Sequence, residues 1–131
     1  MMVLVDTTVW IDFLTDKPQP HVTVLTEFIR DEEDLCLCGV ILTEVLQGIR
    51  SNKDYLRTRE YLNDLLFLPM SHATFIRAAE LFRDLRKKGV TIRNPIDCMI
   101  ASVALENDIC LLHNDRDFVN IANHSALKLC T

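Results

Sequence analysis

The sequence predicts an α/β fold, a three-layer α/β/α sandwich around a five-stranded parallel sheet. Short apolar runs rich in leucine and β-branched residues recur along the chain, and segments with helical period separate them. Strands that are apolar on both faces and alternate with helices are typical of a parallel sheet covered on two sides. The predicted strands are residues 2–5, 35–38, 65–69, 109–112 and 127–130.

Three segments between these strands carry a helical pattern. The clearest is 71–88, in which large apolar side chains recur on one face. Ser71 suits the N-cap of this helix and Gly89 its C-cap, because a serine hydroxyl accepts an amide hydrogen bond and glycine tolerates a positive φ. The segments 53–66 and 43–50 are the other two predicted helices.

Length and composition predict one domain that spans residues 1–131. Apolar residues make up 49% of the chain and charged residues 25%, which is the balance of a globular protein that buries a real core. No apolar run reaches the roughly 20 residues that a membrane span requires, and the first residues lack a basic leader. The five cysteines lie within apolar stretches and are predicted to be reduced core residues. We therefore expect a cytoplasmic protein that is not embedded in a membrane.

The net charge of −5 argues against nucleic-acid binding through a broadly basic surface. This objection weakens if several carboxylates converge on one site. Divalent cations bound there would invert the local field that a phosphate backbone meets.

Four acids lie where a parallel sheet places its ligand site, beyond the carboxyl ends of the strands. Asp6 directly follows the first predicted strand, and Asp115 follows the fourth. Asp97 falls in the first turn of a helix that Asn94 can cap, and Glu44 lies early in another helix. Taken singly, each of the last two acids is also explained by a favourable interaction with the helix dipole.

The recurrence of one chemical type at one edge of the sheet favours a metal site. Clustered carboxylates raise one another's pKa unless cations neutralise them, and oxygen-only ligand sets suit Mg²⁺ or Mn²⁺. Such ions keep positions free for water and for substrate phosphates. The pattern therefore indicates phosphoryl-transfer chemistry.

Four segments together resemble the successive motifs of PIN-domain nucleases, in particular the VapC-type toxins of bacterial toxin–antitoxin pairs. They are VLVDTTVWIDFL, TEVLQGIR, RNPIDCMIAS and LLHNDRDF, and the resemblance extends from residue 2 to about residue 130. It implies a parallel five-stranded α/β/α sandwich that acts as a metal-dependent endoribonuclease on RNA. It also implies a homodimer that is held inactive by a cognate antitoxin.

The resemblance assigns roles to individual positions. The acids are expected to be Asp6, Glu44, Asp97 and Asp115, with Asp117 and Thr8 as accessory residues. Asp6, Asp97 and Asp115 are the expected ligands of Mg²⁺ or Mn²⁺, and Glu44 would position the attacking water or help to hold a second ion. The fourth motif departs from the family pattern, because His113 stands where Thr or Ser is usual. That departure leaves open the local hydrogen bonding beside Asp115, and His113 fits either contact with a phosphate or an ordinary packed or solvated position.

Substrate binding requires cations outside the acidic cluster. The candidate RNA-binding residues are Arg83, Arg86, Lys87, Lys88, Arg93 and Arg116. The first four equally fit an ordinary solvated helix end, where cations favour the helix dipole. Trp10 and Phe13 fit either packing in the core or at a dimer interface, or stacking on single-stranded bases.

Two other protein classes share features with a nuclease. A phosphoacceptor receiver domain is also a small acidic α/β sandwich, but it needs an aspartate after its third strand, where this chain has LPMSHA. A PIN fold that only scaffolds other proteins remains an alternative, since a fold alone does not define an activity. The presence of all four acids argues against a scaffold, which has no need of a charged pocket.

Overall fold

The computed structural model of the protein describes residues 1–130, within which four strands alternate with seven helices. The strands are β1 (Met2–Val5), β2 (Asp34–Cys38), β3 (Leu66–Leu68) and β4 (Cys110–Leu112). The helices are α1 (Thr7–Leu14), α2 (Pro20–Arg30), α3 (Gly39–Gln47), α4 (Asn52–Asn63), α5 (His72–Lys87), α6 (Pro95–Asn107) and α7 (Arg116–Asn123). Among residues 1–130, no helix has the length and apolarity that crossing a bilayer would require.

The four strands form one parallel sheet in the order β3-β2-β1-β4. Val3 in the central strand β1 pairs with Leu35 of β2 on one side and with Cys110 of β4 on the other. The chain builds the sheet outward to β3 and then returns to the opposite side of β1 to add β4. The strand order therefore reverses beside β1, and the carboxyl ends of β1 and β4 form the crevice where such sheets bind ligands.

The predicted fifth strand is a correction. Residues 127–130 contribute a single parallel bridge, between Leu111 and Leu129, and no strand. Leu111 donates its backbone N–H to the carbonyl of Lys128 at 2.9 Å and accepts from Cys130 at 2.9 Å. β4 is only three residues long, so the segment meets it at one residue and no ladder extends beyond that pair. The apolar pattern correctly predicted an extended segment at the edge of the sheet. It did not predict that this segment pairs with β4 at only one residue.

The helix predictions are confirmed with shifted ends. The predicted helix 71–88 is α5, which Ser71 and Thr74 begin with a reciprocal capping box, and Gly89 follows it at φ +80°. The predicted 53–66 helix is α4, which ends at Asn63 because Leu66 already belongs to β3. The predicted 43–50 helix is α3, which begins four positions earlier, at Gly39 directly after β2.

The core lies on both faces of the sheet and is densest around β1. Val3, Leu4 and Val5 are fully buried, as are Cys36 and Cys38 of β2. All five cysteines are free thiols, as predicted, although Cys110 and Cys130 at the sheet edge are only partly buried.

Trp10 belongs to this core and not to a nucleic-acid surface. It is 0% exposed and packs edge-on against Phe13 and Tyr61, with ring centroids 6.1 and 6.0 Å apart. A fully enclosed ring cannot stack on a base. Burial of this aromatic side chain contributes stability, of which a truncation to alanine would remove about 3 to 5 kcal/mol.

Candidate metal centre

The first acid of the site is fixed where the neighbouring strands β1 and β4 end. Asp6 follows β1 and is the N-cap residue of α1, and its side chain is almost fully buried. Its backbone N–H donates to the carbonyl of Leu112, the last residue of β4, at 2.9 Å. This bond joins the carboxyl ends of β1 and β4, so residues that follow either strand come together.

Three other carboxylates converge at the same edge. Asp97, Asp115 and Asp117 each offer a carboxylate oxygen within 4.8 Å of the other two. We call these three residues the aspartate trio. Oxygens that share one Mg²⁺ at about 2.1 Å lie up to about 4.2 Å apart, so the trio is near the spacing that one cation needs.

Local capping places each member of the trio. Asp97 lies in the first turn of α6, where the side chain of Asn94 caps the helix by accepting the N–H of Ile96 at 3.1 Å. Asp115 is the N-cap residue of α7 and accepts the N–H of Asp117 at 2.9 Å. The amino ends of two helices therefore point at the trio, and their dipoles favour negative charge there.

Asp97 is the most perturbed acid of the site. Its pKa is raised from 3.8 to about 7, chiefly by burial and then by the charges of Asp6, Asp115, Asp117 and Glu44. Its Oδ2 atom is buried and has no hydrogen-bond partner among residues 1–130. An orphaned buried carboxylate oxygen is costly for a folded protein unless a proton or a cation satisfies it. The donor set and this orphaned oxygen both fit a divalent cation.

Two further acids, Asp6 and Glu44, lie beside the aspartate trio. Burial raises the pKa of Asp6 from 3.8 to about 6, the charge of Glu44 raises it further, and Thr8 opposes this shift by donating its hydroxyl to Asp6 Oδ2 at 3.1 Å. Thr7 donates its hydroxyl to Glu44 Oε1 at 2.7 Å. The sequence indicated Thr8 as a support for Asp6, but it gave no sign that Thr7 would hold Glu44.

Arg93 is a positively charged side chain in contact with the aspartate trio. Its backbone N–H and its Nε both donate to Asp117 Oδ2, at 3.2 and 3.3 Å, and its Nη2 donates to Asp115 Oδ1 at 3.2 Å. The two carboxylates raise the pKa of the guanidinium, Asp117 most of all. Sequence reasoning placed Arg93 among RNA-binding cations and missed these contacts, because they join positions that are distant along the chain.

His113 supplies the hydrogen bond that the departure from the family pattern left open. Its Nδ1 accepts the backbone N–H of Asp115 at 3.1 Å, and its ring packs edge-on against Phe118. Burial lowers the pKa of His113, which favours the neutral ring that this acceptor role requires.

The structure thus brings the predicted acids to one edge of the sheet, with a different grouping from the expected one. Asp97 and Asp115 lie together as expected, but the third oxygen of the compact trio comes from Asp117 and not from Asp6. Asp6 and Glu44 act on Asp97 through their charges. The catalytic and ligand roles of all five acids stay predictions.

The other predicted RNA-binding cations lie on exposed surface. Arg83 and Lys87 alternate with Glu80 and Asp84 around a shallow depression of about 220 Å³. Lys88 donates from Nζ to the carbonyl of His124 at 3.1 Å. Interleaved acids reduce the positive potential of this face, so the RNA-binding role of these cations also stays a prediction.

A separate cavity of about 490 Å³ lies between the ends of α1 and α3 and the helix α4. Ile11 and Val45 contribute to its apolar walls, and Arg57 and Asp54 to its polar lining. It contains none of the five acids. The candidate site is therefore the open carboxylate edge of the sheet and not an enclosed chamber.

A parallel sheet between helical layers, with acids gathered at its topological switch point, defines the class of α/β proteins that carry a carboxylate site at the edge of the sheet. The model of the PIN domain family matches residues 3–124. The chain therefore belongs to the PIN domain family.

Curated relatives narrow the resemblance within this family. Ribonuclease VapC17 of Mycobacterium tuberculosis is 35% identical over 94 residues, which are 70% of this chain and 71% of that protein. Ribonuclease VapC11 of the same organism is 27% identical over 129 residues, which are 97% of this chain and 96% of that protein. Both of these relatives are named as ribonucleases of the VapC type.

Solved structures share the fold. VapBC2 from Rickettsia felis, bound to a DNA fragment from its promoter, aligns with a TM-score of 0.77 at 21% identity over 99% of this chain and 98% of that chain. DNA-bound VapBC from Salmonella typhimurium aligns with a TM-score of 0.76 at 20% identity over 99% of this chain and 97% of that chain.

Proposed function

We propose that the protein is a Mg²⁺- or Mn²⁺-dependent endoribonuclease and the toxin of a toxin–antitoxin pair. The observation that carries the proposal is the aspartate trio with its orphaned oxygen on Asp97. The ribonuclease relatives support the chemistry, and the resemblance to toxin–antitoxin complexes supports the biological role.

The residues that would hold the cation are Asp97, Asp115 and Asp117, with Asp6 beside them. When bound, the cation neutralises these carboxylates and lowers the pKa of a water ligand toward neutrality. Burial of Asp6 and Asp97 would strengthen the electrostatic interactions of these two carboxylates with the cation.

Glu44 is the residue proposed to orient the attacking water. It is partly buried, and the Thr7 hydroxyl fixes one of its carboxylate oxygens, Oε1. Among residues 1–130 the other oxygen makes no hydrogen bond, and it is the one proposed to accept a proton from water as the water attacks a phosphodiester in line. A carboxylate held at one end and open at the other suits this task.

The proposed partners are RNA, a cognate antitoxin and a second copy of this chain. The net charge of −5 and the acidic edge of the sheet suit a basic antitoxin segment that places an arginine among the carboxylates. The proposal also takes residues 1–131 as one domain and a cytoplasmic location, with free thiols as support.

The test joins metal binding to cleavage. The melting temperature of the purified protein should rise with Mn²⁺, because a ligand at one hundred times its Kd stabilises the folded state by about 2.7 kcal/mol. RNA cleavage should require the same ion and stop with chelator. Asp97→Ala should lose both responses, whereas Asp31→Asn, which changes an exposed acid at the end of α2, should keep both. A protein that shows neither response would instead be a scaffold.

A further inference from the structure

Arg93 makes an unusual set of contacts for an exposed arginine. Its side chain is 75% exposed, yet both of its nitrogen contacts go to members of the aspartate trio, Asp115 and Asp117. Its backbone is fixed on both sides, because Ile92 is buried in the core and Asn94 caps α6. The guanidinium therefore reaches the trio from a rigid support.

The contacts of Arg93 select one oxygen on each carboxylate. Asp117 Oδ2 accepts both the backbone N–H and the Nε–H of Arg93. Asp115 Oδ1 accepts the Nη2–H of Arg93 and the backbone N–H of Asp117. Among residues 1–130, no hydrogen bond is made to the opposite oxygens, Asp117 Oδ1 and Asp115 Oδ2.

We propose that Arg93 is a positioning residue, which holds Asp115 and Asp117 by one oxygen each and so presents their other oxygens, with that of Asp97, to a divalent cation. This inference rests on the proposed metal-dependent function. It goes beyond that function because it assigns to Arg93 a role in metal affinity and not in RNA binding.

Arg93 affects the affinity for a metal ion in two opposite ways, through its charge and through the geometry that it imposes. The relative size of the two effects decides whether Arg93 raises or lowers the affinity. A nearby positive charge repels a cation, and the solvent around the guanidinium, which is 75% exposed, weakens this repulsion without removing it. Loss of a partner that orients metal ligands typically weakens metal binding by about 10- to 100-fold. The positioning role requires the geometric contribution to be the larger one, so that Arg93 increases the affinity of the site.

The experiment measures the Kd of Mn²⁺ for the full chain by calorimetric titration. Arg93→Met keeps most of the apolar stem and removes the planar donors, and it should raise the Kd about 10- to 100-fold. Arg93→Lys keeps the charge without the fork and should give an intermediate Kd, because a lysine ammonium cannot hold two carboxylates in a fixed plane. This graded rescue separates positioning from a merely structural role.

Arg116→Met is the matched control. Arg116 lies between Asp115 and Asp117 in sequence and is exposed, and within the described chain it forms no ion pair. Its removal changes the net charge by the same amount, so its Kd should stay within about threefold of the original value. Melting temperatures in chelator check that each variant is folded.

The outcomes separate the inference from the function on which it rests. Unchanged binding of Mn²⁺ in Arg93→Met overturns the positioning role. Tighter binding also overturns it and makes Arg93 a competing counter-ion. The nuclease proposal stands in both cases. An original protein that binds no Mn²⁺ overturns the proposed function and the inference with it.

Discussion

Thr7 donates its hydroxyl to Glu44 Oε1 at 2.7 Å and thereby joins the first residue of α1 to the middle of α3. This contact spans two helices that begin at the carboxyl ends of adjacent strands, so it fixes Glu44 relative to Asp6.

Thr7→Val should release Glu44 while it preserves the shape of the residue. We expect RNA cleavage to slow by about 10- to 100-fold, since a small displacement of a catalytic group is enough for such a loss. The unfolding free energy should fall by only about 1 kcal/mol. Thr43→Val is the control, because that hydroxyl bonds only to the carbonyl of Gly39 within α3. Equal rates for both variants would remove Glu44 orientation from the mechanism.

Asp6→Asn should abolish cleavage and stabilise the protein in metal-free buffer. Burial raises the pKa of Asp6 to about 6, so an ionised side chain at pH 8 is held at a cost in free energy that a neutral amide avoids. The melting temperature in chelator should rise by about 4 °C for each kcal/mol gained.

Asp12→Ala on the same helix should have the opposite effect on stability. Asp12 Oδ2 lies 2.6 Å from Nε2 of the buried His21, so its loss leaves a buried ring without its partner. A lower melting temperature for Asp6→Asn would contradict the repulsion that we assign to the acidic site.

The metal-free protein should lose stability as the pH rises. The pKa of Asp97 is about 7 when folded and its ordinary value is 3.8, so between these pH values the folded chain keeps a proton that the unfolded chain releases. The stability that this proton contributes is fully present below the unfolded pKa of 3.8 and is lost as the pH rises through the folded pKa of about 7. The shift corresponds to about 4 kcal/mol, and solvent screening at this open edge of the sheet reduces the expected loss to about 2 kcal/mol. Urea denaturation in chelator at pH 5, 6, 7 and 8 measures this decline.

Asp97→Asn should flatten that pH dependence, and Mn²⁺ should restore the stability of the original protein at pH 8. A variant with an unchanged slope would show that another group titrates.

His113→Ala should leave the backbone N–H of Asp115 without its acceptor and cost about 1 kcal/mol of unfolding free energy. Because burial lowers the folded pKa of His113 below 6.5, its contribution is present above pH 6.5 and is lost as the pH falls through the lowered value. The variant should lack this acid-side slope. His113→Asn, which keeps an acceptor oxygen at a similar position, should retain more of the stability.

Sequence patterns predicted the parallel α/β sandwich because hydrophobic burial has a period that can be seen locally. Local signals of this kind are the buried apolar runs around Val3 and Leu111. The serine at position 71 is another local signal, because it caps α5. The fifth strand failed because pairing length depends on the partner, and β4 offers only three residues to the segment around Leu129.

The sequence allowed the positions of the acids after strands to be predicted, but not the contacts that their side chains make. The position of Asp6 and Asp115 after strands follows from the topology of a parallel sheet. The links from Thr7 to Glu44 and from Arg93 to Asp117 depend on side-chain directions after folding. No spacing in the sequence encodes such directions between distant segments. For the same reason, the sequence predicted Asp117 only as an accessory residue, whereas the structure places it in the compact trio.

The hydrogen bond from Asp6 to Leu112 unites positions that are separated by nearly the whole chain. Contacts of such separation form late, because a long loop must close before they stabilise anything. During synthesis, Asp6 emerges well before Asp115 and Asp117 exist. The acids of a growing polypeptide are therefore apart from one another. The complete carboxylate edge forms only when β4, the last strand in the described chain, docks against β1.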